Sequence, residues 1–186
     1  ENLLHHELQL QIDELTKIIS NNIISTTDDK IQEILKELLI QKKMTISTAE
    51  SCTGGGISRL ITSVPGSSAY FFGGVCTYET AKKTSILNVS ADLINEKGVV
   101  SEEVASEMSL GCQNLFKTNI AIATTGVAGP GSDEFDSEVG RVYYSVRIGK
   151  EEQTYTLFLP HMEREDFMDF VSQKVLQSVV ERFLID

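Results

Sequence analysis

The sequence predicts an α/β fold in which a mixed sheet carries helices on its faces. Three observations lead there. From Met44 onward, short apolar runs of strand length alternate with amphipathic runs of helical period, in the order β-α-β-α-α-β-β-β-α. Two of the strand-like runs end directly in glycine-rich segments, as strand-to-helix turns in α/β folds do. The chain has 186 residues, 41% of them hydrophobic and 23% charged, which is ample for one buried core and rules out a disordered acidic polymer.

Each element has its own warrant. Leu4, Leu8, Leu15 and Ile19 fall at helical spacing and predict an amphipathic helix over 3–20, ended by Asn21-Asn22. Ile23-Ile24-Ser25 reads as a short strand. Thr27 or Asp28 offers an N-cap for a second helix with Ile31, Ile34, Leu35, Leu38 and Leu39 inward. Residues 44–49 read as a strand, and Thr53-Gly54-Gly55-Gly56 opens a helix. Val64-Pro65-Gly66 has the residue order of a type II turn. A strand over 72–78 is followed by a helix to about Leu87. The next helix, capped by Ser101, runs to about Phe116 with Val104, Met108, Cys112 and Leu115 inward. Ile120–Thr125 is a short buried strand that ends in Gly126-Val127-Ala128-Gly129-Pro130-Gly131. Val142, Tyr144, Val146 and Ile148 alternate with Arg141, Tyr143, Ser145 and Arg147, a strand with two unlike faces that 153–159 pairs as a hairpin. A last helix carries Phe167, Val171, Val175, Val179 and Phe183.

Charge and cysteine usage narrow the function classes. Sixteen Lys and Arg against 27 Asp and Glu leave a net charge of −11. With no basic stripe, neither nucleic acid nor an anionic membrane is an expected partner. Residues 131–186 hold 12 acids against 6 bases, more than half of the imbalance, and the densest patch is Asp133, Glu134, Asp136 and Glu138. Three cysteines without C-x-x-C spacing speak against a disulfide framework and a zinc ribbon and for a reducing compartment, the cytoplasm. No apolar run approaches the ~20 residues that span a bilayer. The chain begins at Glu1 rather than Met and reads as a processed or excised piece.

Chemistry concentrates at Glu50-Ser51-Cys52-Thr53-Gly54-Gly55. A polar triplet at the end of a buried strand, leading through glycines into a helix, places Ser51 at a helix N-terminus. There it is either a cap or a nucleophile beside free amides. The segment is neither a Walker A loop nor a G-x-S-x-G elbow. The usual base for a serine is histidine, but His5, His6 and His161 border no glycine-rich strand end and read as solvated imidazoles. A lysine whose pKa burial lowers is the better base, and Lys82 and Lys83 are placed for it, one facing inward and the other outward. The second glycine segment adds Thr125 and a run of amides able to hold an anion or a carbonyl oxygen. No metal motif is present, and no metal is expected.

The residues TAESCTGG (48–55), VPGSSAYFFGG (64–74), Thr77-Tyr78 with Lys83, GVVSEEVA (98–105) and TGVAGPG (125–131) occur in order. Together they closely resemble the C-terminal domain of the competence/damage-inducible protein CinA family, the nicotinamide mononucleotide (NMN) amidohydrolases. The resemblance spans roughly residues 27–184. It implies a three-layer α/β/α sandwich with a mixed, mostly parallel five-stranded sheet, and an N-terminal helical extension over 1–26 as the remnant of a linking domain. It also implies hydrolysis of NMN to nicotinic acid mononucleotide and ammonia without metal or organic cofactor, in a homodimer or higher homo-oligomer. Ser51 then matches the nucleophile, and the family spacing after the Tyr selects Lys83 over Lys82 as its base. Tyr78, Thr125, Gly54, Gly55, Gly126 and Gly129 match substrate-binding positions, with the oxyanion held near Gly54 and Gly55 or near Thr125 and Gly126. Cys52 is the rival nucleophile.

The sequence departs from the family in two places. Glu79-Thr80 stands where Ser-Asn is common, and the Lys-Pro expected before Val139-Gly140 is replaced by the acidic stretch 132–138. If the family lysine holds the substrate phosphate, that contact is weaker here, moves to Arg141, or serves another substrate. A catalytically silent domain that binds a nucleotide or organises subunits is the alternative from another class.

Overall fold

Residues 29–184 are described by a computed structural model of the chain. The helix expected over 3–20, the strand at 23–25 and the caps Thr27 and Asp28 lie outside them. The first described helix, α1 (Ile31–Lys42), starts after Lys30, whose amide donates to Glu33 Oε2 at 3.0 Å.

Five strands follow the alternation of the sequence: β1 (Ile46–Glu50), β2 (Phe71–Cys76), β3 (Ile120–Gly126), β4 (Arg141–Ile148) and β5 (Glu151–Phe158). They lie in the order β2-β1-β3-β4-β5. β1 pairs in parallel with both β2 and β3, whereas β3–β4 and β4–β5 are antiparallel. Four of the five strands therefore run one way, with β4 reversed. The helices are α2 (Gly56–Thr62), α3 (Thr80–Leu87), α4 (Ala91–Lys97), α5 (Glu102–Phe116) and α6 (Arg164–Leu184).

The two-residue period of β3 divides the core between two layers. Ile120 and Ile122 join α1, α2 and α6 through Leu35, Leu39, Ile57, Ile61, Phe167, Val171, Val175 and Val179. Ala121 and Ala123 join α3, α4 and α5 through Leu87, Ile94, Val104, Met108 and Cys112. Burial of each large apolar side chain contributes roughly 1.5–3 kcal/mol, so both layers are held firmly to the sheet. The alanines on the second face let α5 approach closely, and its Gly111 packs on the Leu87 carbonyl, where a Cβ would collide.

Several sequence expectations shift. Leu115 is 48% exposed. The stripe continues instead from Cys112 to Phe116, whose ring lies over Gly73 of β2. Helix α4 leaves no visible period in the sequence, because it buries only Ile94, although Ser90 caps it by accepting from the Leu93 amide at 3.2 Å. β2 ends at Cys76, which leaves Thr77 and Tyr78 in the link to α3. The type II turn at Val64-Pro65-Gly66 is present, with Gly66 at φ 85° and the Ser67 amide donating to the Val64 carbonyl at 3.3 Å.

Candidate active site

The parallel strands β1, β2 and β3 end side by side, and their carboxyl ends deliver the polar groups of the site, as open α/β sheets do. Ser51 follows β1, Thr77 follows β2, and Thr124 lies two residues before the end of β3. Lys83 comes from the first turn of α3 and is 1% exposed. Its Nζ donates to Ser51 Oγ at 3.1 Å and to the Thr77 carbonyl at 2.8 Å. Of the two adjacent lysines the structure buries Lys83, while Lys82 faces solvent beside Glu79. Burial holds the Lys83 ammonium below its usual 10.5; the neighbouring Cys52 and Cys76 thiols and the Glu134 and Asp133 carboxylates oppose that shift.

Ser51 is not a helix cap. Gly55, at φ 97°, is the N-cap of α2, and the Gly54 amide donates to the Ser51 carbonyl at 3.0 Å, closing a turn in which Ser51 sits 7% exposed. The Gly55 amide donates to Glu50 Oε2 at 3.0 Å. The amides of Gly54 and Gly55 are thus spent inside the chain, and neither residue lines the cavity beside Ser51. Cys52 is buried next to Thr124, and burial pushes its thiol up to about 12. A thiol so far from ionisation is a poor nucleophile.

That cavity encloses about 230 Å³ and is bordered by Ser51 and Cys52, by Tyr78, by Gly126–Gly129 with Gly131 and Ser132, and by Arg164. Gly126 and Gly129 therefore both border the cavity. Thr125 does not border the cavity: its hydroxyl donates to the Val99 carbonyl at 2.7 Å on the opposite face of β3. Alternation puts Thr124 on the other face, buried behind the cavity wall, with its hydroxyl 3.4 Å from the Ser51 amide and 3.0 Å from the Thr53 hydroxyl. Arg141 is also absent from the wall. Its Nε donates to Glu138 at 3.1 Å and its guanidinium lies 4.4 Å from the centre of the Phe158 ring.

The cation at the cavity is Arg164, which sequence reasoning missed. Its guanidinium donates to the Gly129 carbonyl at 2.8 Å and to the Tyr78 hydroxyl at 2.6 Å, linking both walls. One signal marked it in the sequence: a lone cation among Glu163, Glu165 and Asp166 at a helix start, where the dipole favours acids. A larger groove of about 530 Å³ lies across α3, lined by Glu79, Thr84, Ala91, Ile94, Glu134 and Phe135 among others, away from Ser51 and Lys83. Among the described residues no His, Cys, Asp and Glu cluster is placed to hold a metal ion, and no helix is long and apolar enough to cross a membrane.

The arrangement is a hydroxyl beside a buried amine, at strand ends, in a cavity with one cation. The CinA C-terminal domain family model matches residues 28–183. The chain belongs to the CinA C-terminal domain family. A CinA-like protein of Flavobacterium psychrophilum is 48% identical over 151 residues, covering 81% of this chain and 36% of the relative. A putative competence-damage inducible protein of Clostridium beijerinckii is 41% identical over 136 residues, covering 73% of this chain and 33% of the relative. The chain thus spans about a third of the length of these curated relatives. Among solved structures, a competence-damaged protein (CinA) superfamily protein from Escherichia coli superposes with a TM-score of 0.79 at 25% identity, covering 88% of this chain and 98% of that one. The competence damage-inducible protein A of Klebsiella pneumoniae gives 0.78 at 27% identity, covering 83% and 98%. The family's α/β architecture is the one described above.

Proposed function

We propose that this domain is an amidohydrolase that converts NMN and water to nicotinic acid mononucleotide and ammonia through a Ser51/Lys83 pair. The observation that carries this reading is the 3.1 Å contact between Ser51 Oγ and a lysine that burial biases toward the neutral amine. A neutral Lys83 donates one N–H to the Thr77 carbonyl, which turns its lone pair toward Ser51. It then takes the Ser51 proton as Oγ attacks the carboxamide carbon. Amides of the second glycine loop receive the oxyanion, because those of Gly54 and Gly55 are already bonded. Lys83 returns the proton to departing ammonia. Water, deprotonated by the same amine, cleaves the acyl-enzyme to release the carboxylic acid and restore Ser51. Arg164 at the rim takes the substrate phosphate, the role for which Arg141 is too far engaged with Glu138 and Phe158. The working form is a cytoplasmic homodimer or higher homo-oligomer with a small-molecule nucleotide as its partner.

One observation favours a second reading, a domain that binds a nucleotide or organises subunits without turnover: Asp133 and Glu134 stand close enough to act on Lys83 and oppose an incoming phosphate. Ammonia release from NMN by the wild type and by Ser51→Ala separates the two. The amidohydrolase reading expects turnover that Ser51→Ala lowers at least about 10³-fold. Binding without turnover in both proteins overturns it.

A further inference from the structure

We propose that Glu50 is the positioning residue of the nucleophile. Its catalytic readout rests on the amidohydrolase reading, while its geometry does not. The carboxylate is 1% exposed and gathers five donors from the chain that follows it. Oε2 accepts from the Thr53 hydroxyl at 2.8 Å, the Gly55 amide at 3.0 Å and the Ile57 amide at 3.1 Å. Oε1 accepts from the Ser58 amide at 2.8 Å and the Ser58 hydroxyl at 2.7 Å. The three residues between Glu50 and Gly54 are therefore strapped down at both ends, and Ser51 has one place to go. The backbone of Glu50 reaches the other partner as well. Its carbonyl accepts from the Thr77 amide at 2.9 Å, and the Thr77 carbonyl accepts from Lys83 Nζ at 2.8 Å. One residue thus sets the position of the hydroxyl through its side chain and that of the amine through its main chain. The same carboxylate fills the start of α2, so the anionic end of a substrate is left with Arg164 on the far wall.

Glu50→Gln keeps the size but turns an N–H donor toward amides that also donate, so the ring of five bonds cannot close. The expected result in the full 186-residue chain is a kcat for ammonia release lowered about 100-fold with KM within about threefold, as a misplaced nucleophile requires. In a crystal of the variant, Ser51 Oγ lies beyond hydrogen-bond reach of Lys83 Nζ. Ser58→Ala removes a single donor and lowers kcat about threefold with KM unchanged; it decides the matter if Glu50→Gln does not fold, and an unaltered kcat there overturns the proposal. A folded Glu50→Gln that keeps the 3.1 Å contact, or whose loss lies wholly in KM, also overturns it. A wild type without NMN turnover defeats the amidohydrolase reading alone, since the contact distance in the variants still decides the role of Glu50.

Discussion

After β1 the chain turns through Ser51–Gly55 under the Glu50 carboxylate, and after β3 it turns through Val127–Gly140 around Asp133. Both segments follow a central parallel strand, both are rich in glycine, and both fold around an acid of their own. Depth separates them. Glu50 is buried with five donors, whereas Asp133 is half-buried, with Oδ1 accepting from the Phe135 and Ser137 amides at 3.1 and 2.9 Å. The first segment spends its acid and its amides on itself and so fixes Ser51, the proposed nucleophile. The second keeps carboxylates close enough to the buried amine to oppose its neutralisation, and supplies part of the cavity wall. One device at two depths gives a rigid, buried half and a more exposed half to one candidate site.

The largest effect expected from testing that division comes from the rigid half. Lys83→Met removes the base and lowers ammonia release at least about 10³-fold; turnover near normal would show that another group takes the Ser51 proton. The same variant has a signature in stability. Because the folded pKa of Lys83 is depressed below its unfolded 10.5, the unfolded chain binds more protons in the window between the two values. The contribution of Lys83 to stability therefore rises with pH across that window, and denaturant titrations of Lys83→Met should lack that part of the rise seen in the wild type.

Where α6 meets the more exposed loop, Arg164→Ala should raise KM about 10- to 100-fold with a smaller change in kcat, as the loss of a proposed phosphate contact shared by ground and transition states requires. Arg141→Ala is the matching control and should leave KM within about threefold; the reverse pattern would move the phosphate to Arg141.

Gly54→Ala probes the rigid turn without touching chemistry. At φ 60°, with a Cβ placed 2.9 Å from the Met168 methyl, the substitution should cost about 1–2 kcal/mol in chemical denaturation. The smallest effect belongs to the acids of the second loop. Asp133→Asn with Glu134→Gln removes two charges that raise the Lys83 pKa, so the acid limb of the kcat profile should move to lower pH, and less so at high salt. No shift at low salt would mean that solvent already screens the loop from the amine.

Much of this was open to reading in the sequence, for physical reasons that also mark its limits. Strands with a buried face and helices with a sustained stripe show their period, which is why β1 to β5 and α6 were placed within a few residues. With one buried apolar side chain, α4 shows none. The pairing of Ser51 with Lys83 over Lys82 needed the family spacing, because adjacent helix residues differ in direction and not in kind. That Thr125 turns away from the cavity reflects a period of two, in which neighbouring residues of a strand take opposite faces. Glu50 and Arg164 act through partners far along the chain or through main-chain amides, and neither leaves a local pattern beyond an ion in an unexpected place.

The side-by-side strand ends carry a consequence for how the chain acquires its activity. Ser51 meets Lys83 across 32 residues and Thr124 across 73. β1 lies between strands that come from both of those later regions. Contacts of such sequence separation pay loop-closure entropy before they are rewarded, and parallel pairing forms slowly for that reason. Ser51 thus acquires its surroundings only once β2 and β3 have both zipped onto β1. Synthesis from the N-terminus delivers Ser51 first and β3 well afterwards, so during translation the proposed nucleophile lacks its partners until the centre of the sheet has been made.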